Sequence, residues 1–183
     1  MDEKLQQLLD KQDCTELVYN LSRGLDRFDI DLLKSVFHPD ATDDHGVFKG
    51  GRDEYIEWSM RSLATMDRTQ HAICNVIIEI NGDEARGESY VIATHDWYDD
   101  GIINFEKKDA SAKPITLTNG GRYLDSFQRR NGVWKISHRH AVWEWQTWQP
   151  RTDRFPRNAD DPQSYGERGT SDLAYAHFAQ LVS

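Results

Sequence analysis

The sequence predicts an α+β domain, with helices packed on one side of a curved antiparallel sheet. Three observations predict it. Apolar residues recur at helical spacing through roughly the first third of the chain. From Thr69 onward the pattern changes to alternation, carried by β-branched and aromatic residues. Two Asn-Gly steps, Asn81-Gly82 and Asn131-Gly132, each join a pair of long alternating runs in the manner of a hairpin turn. Helices first and strands afterwards is the order of an α+β layout.

Leu5, Leu8, Leu9, Leu17, Val18, Leu21 and Leu25 share one face of a first helix. Asp13 or Thr15 is placed to cap a break in it, and Gly24 weakens its last turn. A second helix is predicted from about Asp29 to Phe37 and is stopped by Pro39. A third, after Gly50-Gly51, runs from about Arg52 to Thr65, with Tyr55, Ile56, Trp58 and Leu63 on or near one face. Four strands follow, over residues 71–80, 84–98, 115–130 and 133–146. Asp99-Asp100-Gly101 opens a long connection to about residue 114, and Gly120-Gly121 marks a bulge or a close approach. Beyond Pro150 the chain is rich in Arg, Asp, Pro and Gly and reads as irregular to about residue 170. Ser171 then caps a short helix reaching Leu181. Residues 1–148 thus form the domain, and residues 149–183 a tail that serves as a lid or an interface segment.

Bulk properties narrow the function. A chain of 183 residues suits one domain. Its formal net charge is −9, and its longest basic pairs, Lys107-Lys108 and Arg129-Arg130, supply no basic face, which argues against nucleic acid as a partner. No apolar run reaches the length of a membrane span, and the first ten residues are charged and polar rather than leader-like, so the expected compartment is the cytoplasm. Cys14 and Cys74 read as small buried hydrophobes, not as a disulfide. Six Trp in an 11% aromatic chain point to an aromatic-lined cavity or interface.

Asp26 and His71 carry the chemistry. Asp26 ends a helical stretch whose neighbours Leu21, Leu25 and Phe28 imply burial, and a buried carboxylate needs a partner. His71 opens a period-two face with Thr69, Ile73, Asn75 and Ile77. A carboxylate that orients an imidazole and stabilises its imidazolium makes a general base. Arg122, after two glycines, either enters the cavity to bind a phenolate, carboxylate or enolate, or forms a cross-strand ion pair with Glu88 or Asp125. His95, on the face Val91-Ala93-His95-Trp97, is placed to protonate a leaving group or bind a substrate oxygen. Tyr19 lies on the same helical face as Asp26. His45 reads as a cavity edge or a surface loop, and Trp97 and Trp143 as an aromatic wall. His138 and His140, even with His95, form too weak a pattern to predict a metal.

Several segments resemble, in order, the SnoaL-like proteins of the nuclear transport factor two superfold. They are residues 24–29, Leu32-Leu33, Val36-Phe37-His38-Pro39-Asp40-Ala41, Thr69-Gln70-His71 with Asn75, residues 120–125 and residues 132–139. The resemblance covers about residues 5–146 and not the tail. It implies a cone-shaped, cystatin-like roll of three N-terminal helices on a strongly bent sheet. It also implies a cofactor-independent lyase, as in scytalone dehydratase, bile acid dehydratase, hexachlorocyclohexane dehydrochlorinase and diarylpropane deformylase. The family's base maps onto His71, its helix acid onto Asp26, its strand Arg onto Arg122 and its neighbouring polar residue onto His95. Tyr19, His45, Asn75, Trp97 and Trp143 are then the expected contacts of a small hydrophobic or aromatic substrate, in a homodimer or homotrimer without metal or cofactor. Two other outcomes share the superfold: a ketosteroid-type isomerase, and a non-catalytic small subunit of an aromatic-ring dioxygenase.

Overall fold

A computed structural model describes residues 3–98, 112–152 and 164–181. Helix α1 spans Glu3–Arg27 without a break and buries Cys14, Val18, Leu21, Ser22, Leu25 and Asp26 along one stripe. Thr15 does not cap an interruption. Its hydroxyl donates to the carbonyl of Lys11 at 2.8 Å, satisfied inside the helix. Gly24 has a packing reason: a Cβ there would lie 2.7 Å from the Leu33 side chain, so glycine lets the next helix pack close. That helix, α2, spans Ile30–Val36, and its N-cap Asp29 accepts the amide of Leu32 at 2.9 Å. Helix α3 spans Arg52–Ala64.

Among the described residues the sheet has six strands, not the four of the predicted meander. They are β1 (Phe37–Asp44), β2 (Lys49–Gly51), β3 (Arg68–Asn81), β4 (Glu84–Tyr98), β5 (Pro114–Arg130) and β6 (Val133–Pro150). Their spatial order is β2-β1-β6-β5-β4-β3. The sheet is mixed, because β1 runs parallel to β6 while every other pair is antiparallel. Pro39 hides β1 from a local reading. It is tolerated because the β1–β6 ladder is interrupted between Phe37 and Thr42, where no ladder N–H is required of it. The two Asn-Gly steps are hairpin turns: Gly82 has φ +60°, and Asn131 and Gly132 have φ +53° and +80°.

Three register shifts in the antiparallel ladders decide which side chains face inward, one of them between Ser126 and Phe127, where Ser137 is the extra residue on β6. The β3–β4 register shifts between Ile73 and Val76. One extra residue reverses the parity of a strand. Thr69, His71 and Ile73 therefore share the inner face with Val76 and Ile78, while Cys74 and Asn75 are exposed. The expectations of a buried Cys74 and an inward Asn75 are both corrected by this bulge; Cys14 is buried. A second shift falls between Gly120 and Gly121, which face Trp145 and Trp143, so Glu144 is the extra residue on β6.

The core fills the space between the helices and the concave sheet face, with Leu21, Leu33, Phe37, Tyr55, Phe127 and Ile136 almost wholly buried. Beside it, Arg139 forms a bidentate pair with Asp125 at 2.7 Å and lies 4.0 Å from the centroid of the Tyr123 ring.

The described part of the tail docks on its own chain. Arg27 bonds Asp172 at 3.1 Å and the Glu167 carbonyl at 2.9 Å, and Tyr175 donates to Asp29 at 2.7 Å. The last helix, α4, spans Leu173–Ala179 and is capped by Asp172 rather than Ser171. The connection after Tyr98, with Lys107-Lys108, and residues 153–163 of the tail lie outside the described residues. Among the described helices none is long and apolar enough to cross a membrane.

Candidate active site

Strand β3 is an edge strand, and the end of α1 lies along its open side. Asp26, in the last turn of α1, meets it there. One carboxylate oxygen accepts the backbone N–H of His71 at 2.8 Å, and the other accepts Nδ1–H of the same residue at 2.8 Å. This two-point grip covers an unpaired strand amide and fixes the imidazole tautomer. Nε2 is left with its lone pair.

Thr69, two residues earlier on the same face, extends the network. Its hydroxyl lies 3.4 Å from Asp26 and 3.0 Å from Nδ1 of His95, its cross-strand partner on β4. The His71 and His95 rings meet edge to face at 5.4 Å. Burial, and then the charge of nearby His71, push the His95 pKa down to about 3. His95 is therefore a neutral ring at pH 7, offering one N–H and one lone pair rather than a stored positive charge.

Nε2 of His71 has somewhere to work. His71 and His95 line a cavity of about 620 Å³, within the size range of small-molecule sites. The rest of its lining is largely apolar and aromatic, with Tyr55 and Trp58 of α3, Trp97 of β4, Tyr123 of β5 and Trp143 of β6, and also holds Ser59, Ser62, Glu144 and Gln146. Burial pushes the Tyr123 pKa up to about 12, so its hydroxyl keeps its proton at neutral pH. Asn119 also lines the cavity; its carbonyl oxygen accepts from Gln146 at 2.8 Å. A second, polar cavity of about 1030 Å³ lies on the tail side of Asp26 and His71.

Of the residues expected from sequence, Asp26 and His71 meet, and His95, His45, Trp97 and Trp143 join His71 around one cavity. Three do not. Arg122 occupies an even-numbered position of β5, whereas Leu117, Tyr123 and Phe127 at odd positions point inward. It bonds Glu144 at 2.8 Å and Glu88 at 3.2 Å on the other face, the ion-pair alternative. Tyr19 is close in angle to Asp26, but seven residues place it about 10 Å farther along the helix, and it is exposed. Asn75 is turned out by the β3 bulge. His138 bonds Thr42 at 2.8 Å and His140 approaches Asp44 at 3.6 Å, both away from His95. Among the described residues no three His, Cys, Asp or Glu side chains are grouped to hold a metal.

Sequence reasoning passed over Tyr55, Thr69, Tyr123 and Asp43. Parity with Leu117 and Phe127 was the available signal for Tyr123. For Asp43 the signal was the Asp-Asp-His run, since its carboxylate hydrogen-bonds Nδ1 of His45.

A model of the SnoaL-like domain matches residues 6–140. No curated protein matches the chain. Similar solved structures include a type 2 hexachlorocyclohexane dehydrochlorinase, at 19% identity and TM-score 0.70, covering 85% of this chain and 99% of that one. A scytalone dehydratase candidate from Novosphingobium aromaticivorans is 20% identical, with TM-score 0.63 and coverage of 86% and 97%. A cystatin-like protein from Nostoc punctiforme is 23% identical, with TM-score 0.58 and coverage of 74% and 92%. At these identities the likeness is one of fold. The family match is in the sequence itself, and the chain belongs to the SnoaL-like family.

Proposed function

We propose that this SnoaL-like protein is a cofactor-independent lyase acting on a bulky apolar, aromatic substrate. The observation that carries the reading is the Asp26–His71 contact in the wall of an open, aromatic-lined cavity. His71 Nε2 takes a proton from carbon or from a hydroxyl. The pair released forms the new π bond, and water, halide or a one-carbon fragment departs. Asp26 holds the ring and balances its charge in the transition state. Tyr123, protonated at neutral pH, and neutral His95 supply hydrogen bonds to substrate oxygen in place of Arg122 and Tyr19.

The dehydrochlorinase and dehydratase neighbours support this reading by analogy of fold. An isomerase with the same base differs only in returning the proton to the substrate. A non-catalytic subunit has no need of an open cavity beside a buried His–Asp pair. The split into a domain of residues 1–148 and a tail of residues 149–183, a lid or an interface segment, belongs to the same proposal, as does a homodimer or homotrimer. Exposed Tyr90, Ile92 and Leu124 on the outer sheet face support self-association.

The test is turnover of apolar alcohols and diaryl diols without added cofactor, wild type against His71→Ala. A general base contributes ~10²–10⁴-fold, so the variant is expected to lose nearly all turnover while remaining folded, as a thermal melt verifies. Equal turnover in the two proteins removes His71 as the base.

A further inference from the structure

The same cavity has a second His–Asp pair at the far end of the sheet. His45 lies in the loop between β1 and β2, and Nδ1 bonds the carboxylate of Asp43. Both side chains are buried. Strands β6, β5 and β4 separate this loop from β3 in the sheet order, yet His45 and His71 line one cavity. With Nδ1 held by Asp43, Nε2 is the ring nitrogen left for a molecule inside.

The loop is built to hold this ring still. Gly46, at φ +79°, turns the chain, and the His45 amide donates to the Phe48 carbonyl at 2.8 Å. Asp44 carries the structural work: it accepts the Gly46 amide at 2.9 Å and pairs with Lys49 at 2.8 Å. The imidazole stacks on Tyr55 at 5.1 Å and 28°, with Trp58, Tyr123 and Trp143 rings within 6.0 Å. Asp43, by contrast, has His45 as its side-chain partner, and its second oxygen is buried without a hydrogen bond among the described residues. A buried carboxylate held for one hydrogen bond is a poor stabiliser. Its effect is on the ring that faces the cavity.

We infer that Asp43 and His45 form a second acid–base pair, which delivers a proton to the departing atom of the substrate. The inference rests on the proposed elimination with His71 as base. As the substrate bond to hydrogen breaks, the proton goes to His71 Nε2 and the electron pair forms the π bond. The bond to the leaving oxygen breaks with its pair on oxygen, and that oxygen takes the Nε2 proton of a His45 imidazolium whose charge Asp43 balances, leaving His45 as the neutral ring with its proton on Nδ1. Proton loss from His71 and uptake by His45, both through solvent, reset the enzyme. A donor on this side has value for a leaving group that departs poorly as an anion. The substrate class is therefore one that loses an oxygen leaving group, rather than a halide, which needs no proton.

Benzisoxazoles test this without knowledge of the natural substrate. A base removes their ring C–H, the N–O bond breaks, and the oxygen leaves as a phenolate whose basicity rises from nitro-substituted to unsubstituted rings. The probes are three benzisoxazoles (nitro, chloro and unsubstituted), with wild type, His71→Ala, His45→Gln and Asp43→Asn. His71→Ala is expected to lose turnover on all three. The turnover lost by His45→Gln and by Asp43→Asn is expected to grow by ~10²-fold from the nitro compound to the unsubstituted one. Thermal melts verify that each variant is folded, and the isosteric Asp43→Asn keeps the question open to measurement if His45→Gln is unstable. Equal losses across the series for both variants overturn the acid role while leaving the base in place. Wild type no faster than His71→Ala overturns the base, and the inference with it.

Discussion

Asp26 and His71 lie 45 positions apart and meet only because the end of α1 crosses the open edge of β3, whereas Asp43 and His45 are two positions apart in one short segment. The first pair is part of the architecture. Asp26 covers a strand amide, orients a ring and receives Thr69, so it holds two elements together as well as preparing a base. The second is a local device on a loop whose shape depends on Asp44 and Gly46. Similar chemistry can thus carry very different structural weight, and stability measurements separate the two ends of the cavity.

The largest contrast is expected from alanine at the two acids. Asp26→Ala leaves the His71 amide and ring without their acceptor, a loss of about 2–4 kcal/mol in urea unfolding. Asp43→Ala removes one hydrogen bond and a poorly satisfied buried carboxylate, and is expected to cost about 1 kcal/mol or less. Equal losses would erase the distinction drawn between an architectural and a local pair.

The next contrast is in pH. The folded pKa of His95, about 3, lies below the ordinary value of 6.5. The unfolded chain therefore binds a proton at this site throughout the window from about pH 6.5 down to pH 3, and the folded chain does not. Stability contributed by neutral His95 is full above that window and falls as pH drops through it, at about 1.4 kcal/mol per pH unit at most. His95→Gln is expected to flatten the acid side of the stability curve relative to wild type. An unchanged slope between pH 6 and 4 would show that His95 is not the group resisting protonation at the β3 end.

The smallest effects belong to the outer face. Arg122→Ala breaks partly exposed ion pairs with Glu88 and Glu144, and Asn75→Ala removes an exposed side chain. Each is expected to leave the unfolding midpoint close to wild type and to change turnover by less than about twofold. A large loss of turnover in Arg122→Ala would return that residue to the site.

Much of this was open to local reasoning. The Leu21–Leu25 stripe, the alternating runs and the two Asn-Gly turns are patterns of neighbouring residues, and they mark helices and hairpins because helix and strand periods are short-range properties. A carboxylate on a buried stripe demands a partner, and the resemblance to SnoaL-like proteins named His71 as that partner for Asp26. Arg122 was legible too: it alternates with Tyr123 and so cannot share the inward face. Asn75 was not, since the β3 bulge is set by the register against β4, which position 75 does not reveal.

Residue order alone thus settled the helices, the long strands and the identity of a candidate base. Folding in three dimensions added the parallel β1–β6 pair, the inward parity after each bulge and the convergence of two His–Asp pairs on one cavity. Those features depend on contacts between segments distant along the chain. A periodicity records which side of an element is apolar, but not which remote element arrives to cover it.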